Sequence, residues 1–144
     1  MRRAGYATAA GVLAADQVTK ALALGGVIPA RLVRNTGASF GIGAGHPLLL
    51  VLTAAVITAA VAVLLTRTTT PVTAVLLGAV TGGAAGNLAD RLLRSPGYGR
   101  GAVIDWIHLW GYPATFNLAD AAIRFGALGA VAAAILRPRS TTVS

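Results

Sequence analysis

Residues 47–66 read PLLLVLTAAVITAAVAVLLT, twenty residues from Pro47 to Thr66 without a single charge. A helix of about 20 apolar residues is what a bilayer core requires. Pro47 suits a first helical turn, where its missing N–H costs nothing. Arg67 follows directly. This stretch predicts a transmembrane helix, and the rest of the 144-residue chain agrees with it. Mean hydropathy is +0.73 and only 11% of residues are charged, under half of the roughly 25% usual in soluble domains. Three further spans follow from the same reading: about Ala4 to Val27, Pro71 to about Leu88, and about Phe116 to Leu136. The segment Arg67–Thr70 is short enough to make spans two and three a hairpin. Two connections are longer, Ile28–His46 and Leu92–Thr115, and loops of that length are often functional. The expected fold is therefore an all-α membrane protein with four transmembrane helices in one domain, 1–144.

The formal net charge of +8 comes from eleven arginines and Lys20 against four aspartates. In a soluble protein that would suggest nucleic acid. Here the arginines flank apolar spans and suit anionic head groups instead, so no nucleic-acid partner is expected. The absence of cysteine excludes disulfides and thiol chemistry. His46 and His108 are isolated, and no metal-ligand motif occurs, so no metal or other cofactor is expected. Arginines do not fix orientation. Arg2, Arg3, Arg67, Arg137 and Arg139 fall on one side, and Arg31, Arg34, Arg91, Arg94 and Arg100 on the other. Ala4–Ala15 also has the length of a signal-peptide core, but Asp16 and Lys20 suit a retained helix better. Gly78, Gly82 and Gly86 form a small-residue stripe on span three, and Gly126, Ala130 and Ala134 on span four, which lets helix backbones approach closely in lipid.

Ionisable groups inside spans are costly and usually functional. The topology gathers Asn35, Asp90, Asp105 and Asp120 at one membrane face. Asn87-Leu88-Ala89-Asp90 recurs as Asn117-Leu118-Ala119-Asp120, so each repeat places an amide beside a carboxylate on one helical face. An amide can donate to a carboxylate and fix its orientation. Asn117 can also cap span four. Asp90, followed by Arg91 and Arg94, suits an ion pair. Asp105 has apolar neighbours, which favour the neutral acid, and Asp120 lies one turn into span four. Asp105 and Asp120 form the best pair for general acid and base work. Proton or ion handling by a small proton-coupled carrier and purely structural polar contacts remain the other two readings of these residues. Asp16 and Lys20, four apart on span one, read as a buried structural pair. Gly37-Ala38-Ser39-Phe40-Gly41 matches G-x-S-x-G, but it lies in a loop rather than at a strand-to-helix elbow.

Five segments together resemble the bacterial lipoprotein signal peptidase (signal peptidase II) family: Asp16-Gln17-Val18-Thr19-Lys20, Arg34-Asn35-Thr36-Gly37-Ala38-Ser39-Phe40, Gly86-Asn87-Leu88-Ala89-Asp90-Arg91, Val103-Ile104-Asp105 and Phe116-Asn117-Leu118-Ala119-Asp120. The resemblance implies an aspartyl endopeptidase of the bacterial inner membrane that cleaves diacylglyceryl-modified prolipoproteins before the lipidated cysteine. It implies Asp105 and Asp120 as the catalytic pair. Asn35, Asn87, Arg91 and Asn117 would contact substrate or peptide antibiotics such as globomycin, and Asp16, Lys20 and Asp90 would give structural support. It further implies a small periplasmic β-cradle around Ile28–Gly45, a loop helix between spans three and four, a site near the outer face, and cytoplasmic termini. Membrane lipids would be the surrounding partners. The sequence departs from the family pattern at Ser39, Trp106 and Arg124. Arg124 lies four residues after Asp120, and its orientation, toward the acid pair or toward lipid, stays open at this stage.

Overall fold

The computed structural model describes residues 1–37, 43 and 45–136. Four helices carry most of the chain: α1 (Arg2–Leu24), α2 (Pro47–Arg67), α3 (Pro71–Leu93) and α4 (Leu118–Ile135). The helices α2, α3 and α4 are long and apolar enough to cross a membrane. Their exposed side chains, among them Leu48, Leu49, Leu52, Val56, Phe125, Leu128 and Val131, have lipid as their natural solvent.

The inner helix is α3, against which the other three pack, while α2 and α4 scarcely touch each other. The small-residue stripe explains this. A Cβ at Gly78 would strike the Gly5 carbonyl, and one at Gly82 the Ala9 carbonyl, so α1 lies backbone against backbone on α3. The pairing of Gly5 with Gly78 and Asp16 with Gly86 makes the two helices parallel. Helix α4 runs the other way, with Gly83 against Ala119 and Gly126 against Leu76 and Val80. Close approach of this kind replaces the hydrophobic driving force that lipid cannot supply.

The carboxyl ends of α1 and α3 and the amino end of α4 therefore meet at one end of the bundle. Two small antiparallel sheets sit there. Strand β1 (Val33–Asn35) pairs with β2 (Val103–Asp105), with Val33 opposite Asp105, and β3 (Ile107–His108) pairs with β4 (Thr115–Phe116).

The structure corrects several expected boundaries. Helix α3 continues to Leu93, past the expected end at Leu88, so Asp90 and Arg91 are helical as well as Asn87. Helix α4 begins at Leu118 rather than Phe116, because Phe116 belongs to β4 and Asn117 is the cap. The β-structure expected within Ile28–Gly45 contributes one strand, whose partner comes from the second long loop. No helix forms between α3 and α4. Gly97 and Gly99 stand at φ of +80° and +79°, and Tyr98 between them at +51°. A right-handed helix cannot pass through three such residues. Ala38, Ser39, Phe40 and Gly41 lie outside the described residues.

Candidate active site

The polar residues of the bundle end fall into two layers. The inner layer is an ion cluster. Lys20 Nζ sits 2.7 Å from Asp16 Oδ2 and 2.7 Å from Asp90 Oδ2, with all three side chains fully buried. Arg94 Nε adds a bond of 2.6 Å to Asp90 Oδ1. Two cations thus balance two carboxylates. Gln17 stitches the group together, donating to Asp90 Oδ1 and to the Gly86 carbonyl, each at 3.1 Å.

Asp16 does more than pair with Lys20. Its Oδ1 accepts from the Ala119 N–H at 3.0 Å, so α1 caps the amino end of α4. Asp90 Oδ2 likewise accepts from the Ile104 N–H at 3.2 Å and holds β2. The cluster therefore fixes both segments that carry the remaining two aspartates. Asp90 forms its ion pairs with Lys20 and Arg94. Arg91, expected beside it, turns away to donate to the Gly37 carbonyl at 2.8 Å and the Asn87 carbonyl at 3.2 Å.

The outer layer contains Asp105 and Asp120. Two asparagines connect it to the inner one, and the bonds they make fix which way each amide faces. Asn87 Oδ1 accepts from Lys20 Nζ at 3.0 Å and from Asn117 Nδ2 at 3.2 Å. Its Nδ2 must then face outward, where it donates to Asp120 Oδ1 at 2.8 Å. Asn117 Oδ1 accepts from the Asp120 N–H at 2.8 Å as the cap of α4. Its Nδ2 is left to donate to Asp105 Oδ1 at 2.7 Å. Asn35, opposite Val103 in the sheet register, donates to Asp105 Oδ2 at 3.2 Å and accepts from the Gly37 N–H at 3.0 Å.

The tetrapeptide repeat thus works across helices. Each asparagine serves a carboxylate outside its own repeat: Asn87 reaches Asp120, and Asn117 reaches Asp105. Asp90, the expected companion of Asn87, is served by the ion cluster instead. Gln17 is the polar residue whose role the residue-by-residue reading missed. Its signals were a polar side chain directly beside Asp16 and its place in the Asp16–Lys20 segment.

Asp105 and Asp120 line one cavity of about 310 Å³, together with Asn35, Asn87, Arg91, Ala54, Ile57, Ala84, Val103, Ala114, Thr115, Ile123 and Arg124. Asp105 is only 2% exposed. Burial, reinforced by the nearby charge of Asp120, pushes its carboxyl up to about 6, against the bonds from Asn117 and Asn35 and the charge of Lys20. Arg124 lines the same cavity, and its guanidinium donates to the Tyr112 hydroxyl at 3.0 Å in an exposed bond. The Tyr112 ring meets Phe116 edge-on, with centroids 5.9 Å apart. Among the described residues, no three His, Cys, Asp or Glu side chains gather as a metal ion would need.

Comparison with known proteins matches this arrangement to one family. The family profile described as signal peptidase (SPase) II matches residues 8–136. A lipoprotein signal peptidase of Mycobacterium avium is 39% identical over 132 residues, covering 83% of this chain and 72% of that protein. One from Rhodococcus jostii is 39% identical over 81% of this chain and 65% of its own length. One from Leifsonia xyli is 38% identical over 76% of this chain and 56% of its own length. This chain therefore spans little more than half to about three quarters of these relatives. A bacterial membrane enzyme solved by the in meso method at 2.3 Å superposes with a TM-score of 0.77 at 26% identity, covering 91% of this chain and 87% of that one. A second, at 1.9 Å, gives 0.71 at 25% identity, over 93% and 94%. With three apolar helices, an acid-lined cavity at the bundle end and a profile match over nearly its whole length, the chain is membrane-embedded and belongs to the signal peptidase II family.

Proposed function

We propose that this protein is an aspartyl endopeptidase that removes the signal peptide from diacylglyceryl-modified prolipoproteins, cutting before the lipidated cysteine. The observation that carries the reading is the pair Asp105 and Asp120 on one cavity, each held by a separate asparagine. The carrier reading has no such support, since the relatives are peptidases.

Burial raises the Asp105 carboxyl, so this reading gives Asp105 the role of acid and Asp120 that of base. Asp120 takes a proton from a water as that water adds to the scissile carbonyl carbon, and Asp105 gives its proton to the carbonyl oxygen. The diol then collapses. The carbon–nitrogen bond breaks, the leaving nitrogen takes the proton from Asp120, and Asp105 recovers its own. Asn35, Asn87 and Asn117 keep the carboxylates in place, and Asn35, Asn87 and Arg91 line the cavity where the substrate or peptide antibiotics such as globomycin would bind. All four helices cross the bacterial inner membrane as one peptidase domain in this reading, α1 included, with the strands at the outer face and both termini in the cytoplasm. Anchoring the substrate in lipid holds its bond at a fixed depth and removes much of the search.

The direct test is cleavage by purified protein in lipid, read as a mass loss on a gel. The diacylglyceryl-modified prolipoprotein is cut, and the same protein without its lipid is cut at least about tenfold more slowly, because the anchor supplies orientation. No cleavage of the lipidated form overturns the assignment.

The pH profile gives a second test. Asn35 donates to Asp105 Oδ2 and so favours the ionised form. Asn35→Ala removes that donor, and the Asp105 proton is held to higher pH. The alkaline limb of the kcat/KM profile, where the pair loses its shared proton, therefore moves upward. A limb that stays in place or moves down would show that Asn35 does not steady this carboxylate.

A further inference from the structure

A second space lies further along the bundle from the acid cavity. Helices α2 and α4 both lean on α3 without closing on each other, and the cleft between them holds an apolar groove of about 510 Å³. On α2 the cavity ends at Ile57 and the groove begins at Val61. On α3 the corresponding residues are Ala84 and Val80. On each helix the step is four residues, one turn, so the groove lies next along the bundle from the cavity.

The far end differs chemically from the walls. It is lined by Arg67, Thr68, Thr69 and Thr73. Thr68 Oγ1 is buried and has no hydrogen-bond partner among the described residues. A buried hydroxyl left unsatisfied is a cost that a bound polar group would remove. From Asn87 in the cavity to Thr73 at the far end, α3 advances 14 residues, or about 21 Å at 1.5 Å each.

Resting on the peptidase reading, we propose that this groove holds the apolar helix preceding the scissile bond and selects its length, with Thr68 as the stop. The segment before the cut has its carboxyl end at the acid pair, so its amino end lies at Thr68. A helix's amino end carries N–H groups with no partner of their own. The Thr68 oxygen accepts one of them. The apolar helix that fits spans about 14 residues, at the upper end of the 7–15 found in signal-peptide cores.

Two substrates test this: the lipidated prolipoprotein, and a lipidated peptide truncated to begin about five residues before the cut, which reaches the cavity alone. Ala130→Trp, on the groove wall, lowers kcat/KM for the whole substrate at least tenfold and changes the truncated one less than twofold. Leu128→Trp, outside the groove and 68% exposed, changes neither. Removing four residues from the substrate's apolar segment costs wild-type enzyme at least fivefold, and Thr68→Val narrows that difference between lengths. Equal losses on both substrates with Ala130→Trp, or rates independent of segment length in the wild type, mean that the groove holds lipid or another helix and overturn the proposal. Wild-type protein that cuts neither substrate removes the peptidase reading itself.

Discussion

Asp120→Asn abolishes cleavage while leaving the bundle folded, and Asp105→Asn does the same with a small loss of stability. Acid–base groups of this kind contribute about 10²–10⁴-fold, and in the proposed mechanism removing either acid stops both transfers. A loss of about 10³-fold or more, roughly 4 kcal/mol of barrier, is the expected result for each. The local bonds explain the difference in stability. Asp120 Oδ1 accepts from Asn87, and an asparagine at 120 can keep its oxygen there while the new N–H₂ faces the cavity. At 105 both oxygens already accept, one from Asn117 and one from Asn35. The new amide must set a donor against the Asn35 donor, at a cost of about 1 kcal/mol. Cleavage of lipidated substrate and thermal unfolding of the same preparations measure the two effects separately. Normal cleavage by either variant would end the aspartyl mechanism. Ser39→Ala cuts at the wild-type rate in this account, and a large loss there would return the G-x-S-x-G segment to consideration.

What the sequence made legible depended on how local the physics is. The charge-free run 47–66 and the Pro71 start specify helices through their own residues, and α2 and α3 begin where they were expected to. Asn117 as a cap is local too, reaching three residues ahead. The strands are two or three residues long, and β1 and β2 owe their existence to partners in another loop. Nothing in Val33–Asn35 announces Val103–Asp105. The repeat showed that amides would meet carboxylates, but which amide meets which is decided by helix packing. Asp16 and Ala119 stand 103 residues apart, beyond any spacing argument. The expected loop helix failed against information that was present, since Pro96-Gly97 and Gly99 are turn chemistry. The family resemblance outweighed it.

The largest effect on stability is expected at Lys20, which contacts no substrate in this account. Lys20→Met keeps a straight chain of similar volume and removes the charge. Asp16 and Asp90 are both fully buried, and each loses the ammonium 2.7 Å away. Asp90 retains Arg94 and Gln17. Asp16 retains no cation among the described residues. Stranding a buried charge costs about 3–5 kcal/mol, a large share of the 5–15 kcal/mol that stabilises a typical domain. The melting temperature in detergent should fall sharply. Activity should fall further than the folded fraction does. Without Lys20, Asn87 Oδ1 loses the donor that fixes its amide, and the side chain is freer to turn its oxygen toward Asp120. Adding Asp16→Asn separates these two consequences. It removes the stranded charge while leaving an oxygen for the Ala119 N–H, so stability returns in part. Cleavage stays low, because Asn87 is still unanchored. A Lys20→Met protein as stable as wild type would show that the inner cluster does not hold the bundle. Full cleavage by the double variant would show that the chain from Lys20 through Asn87 does not set the position of Asp120.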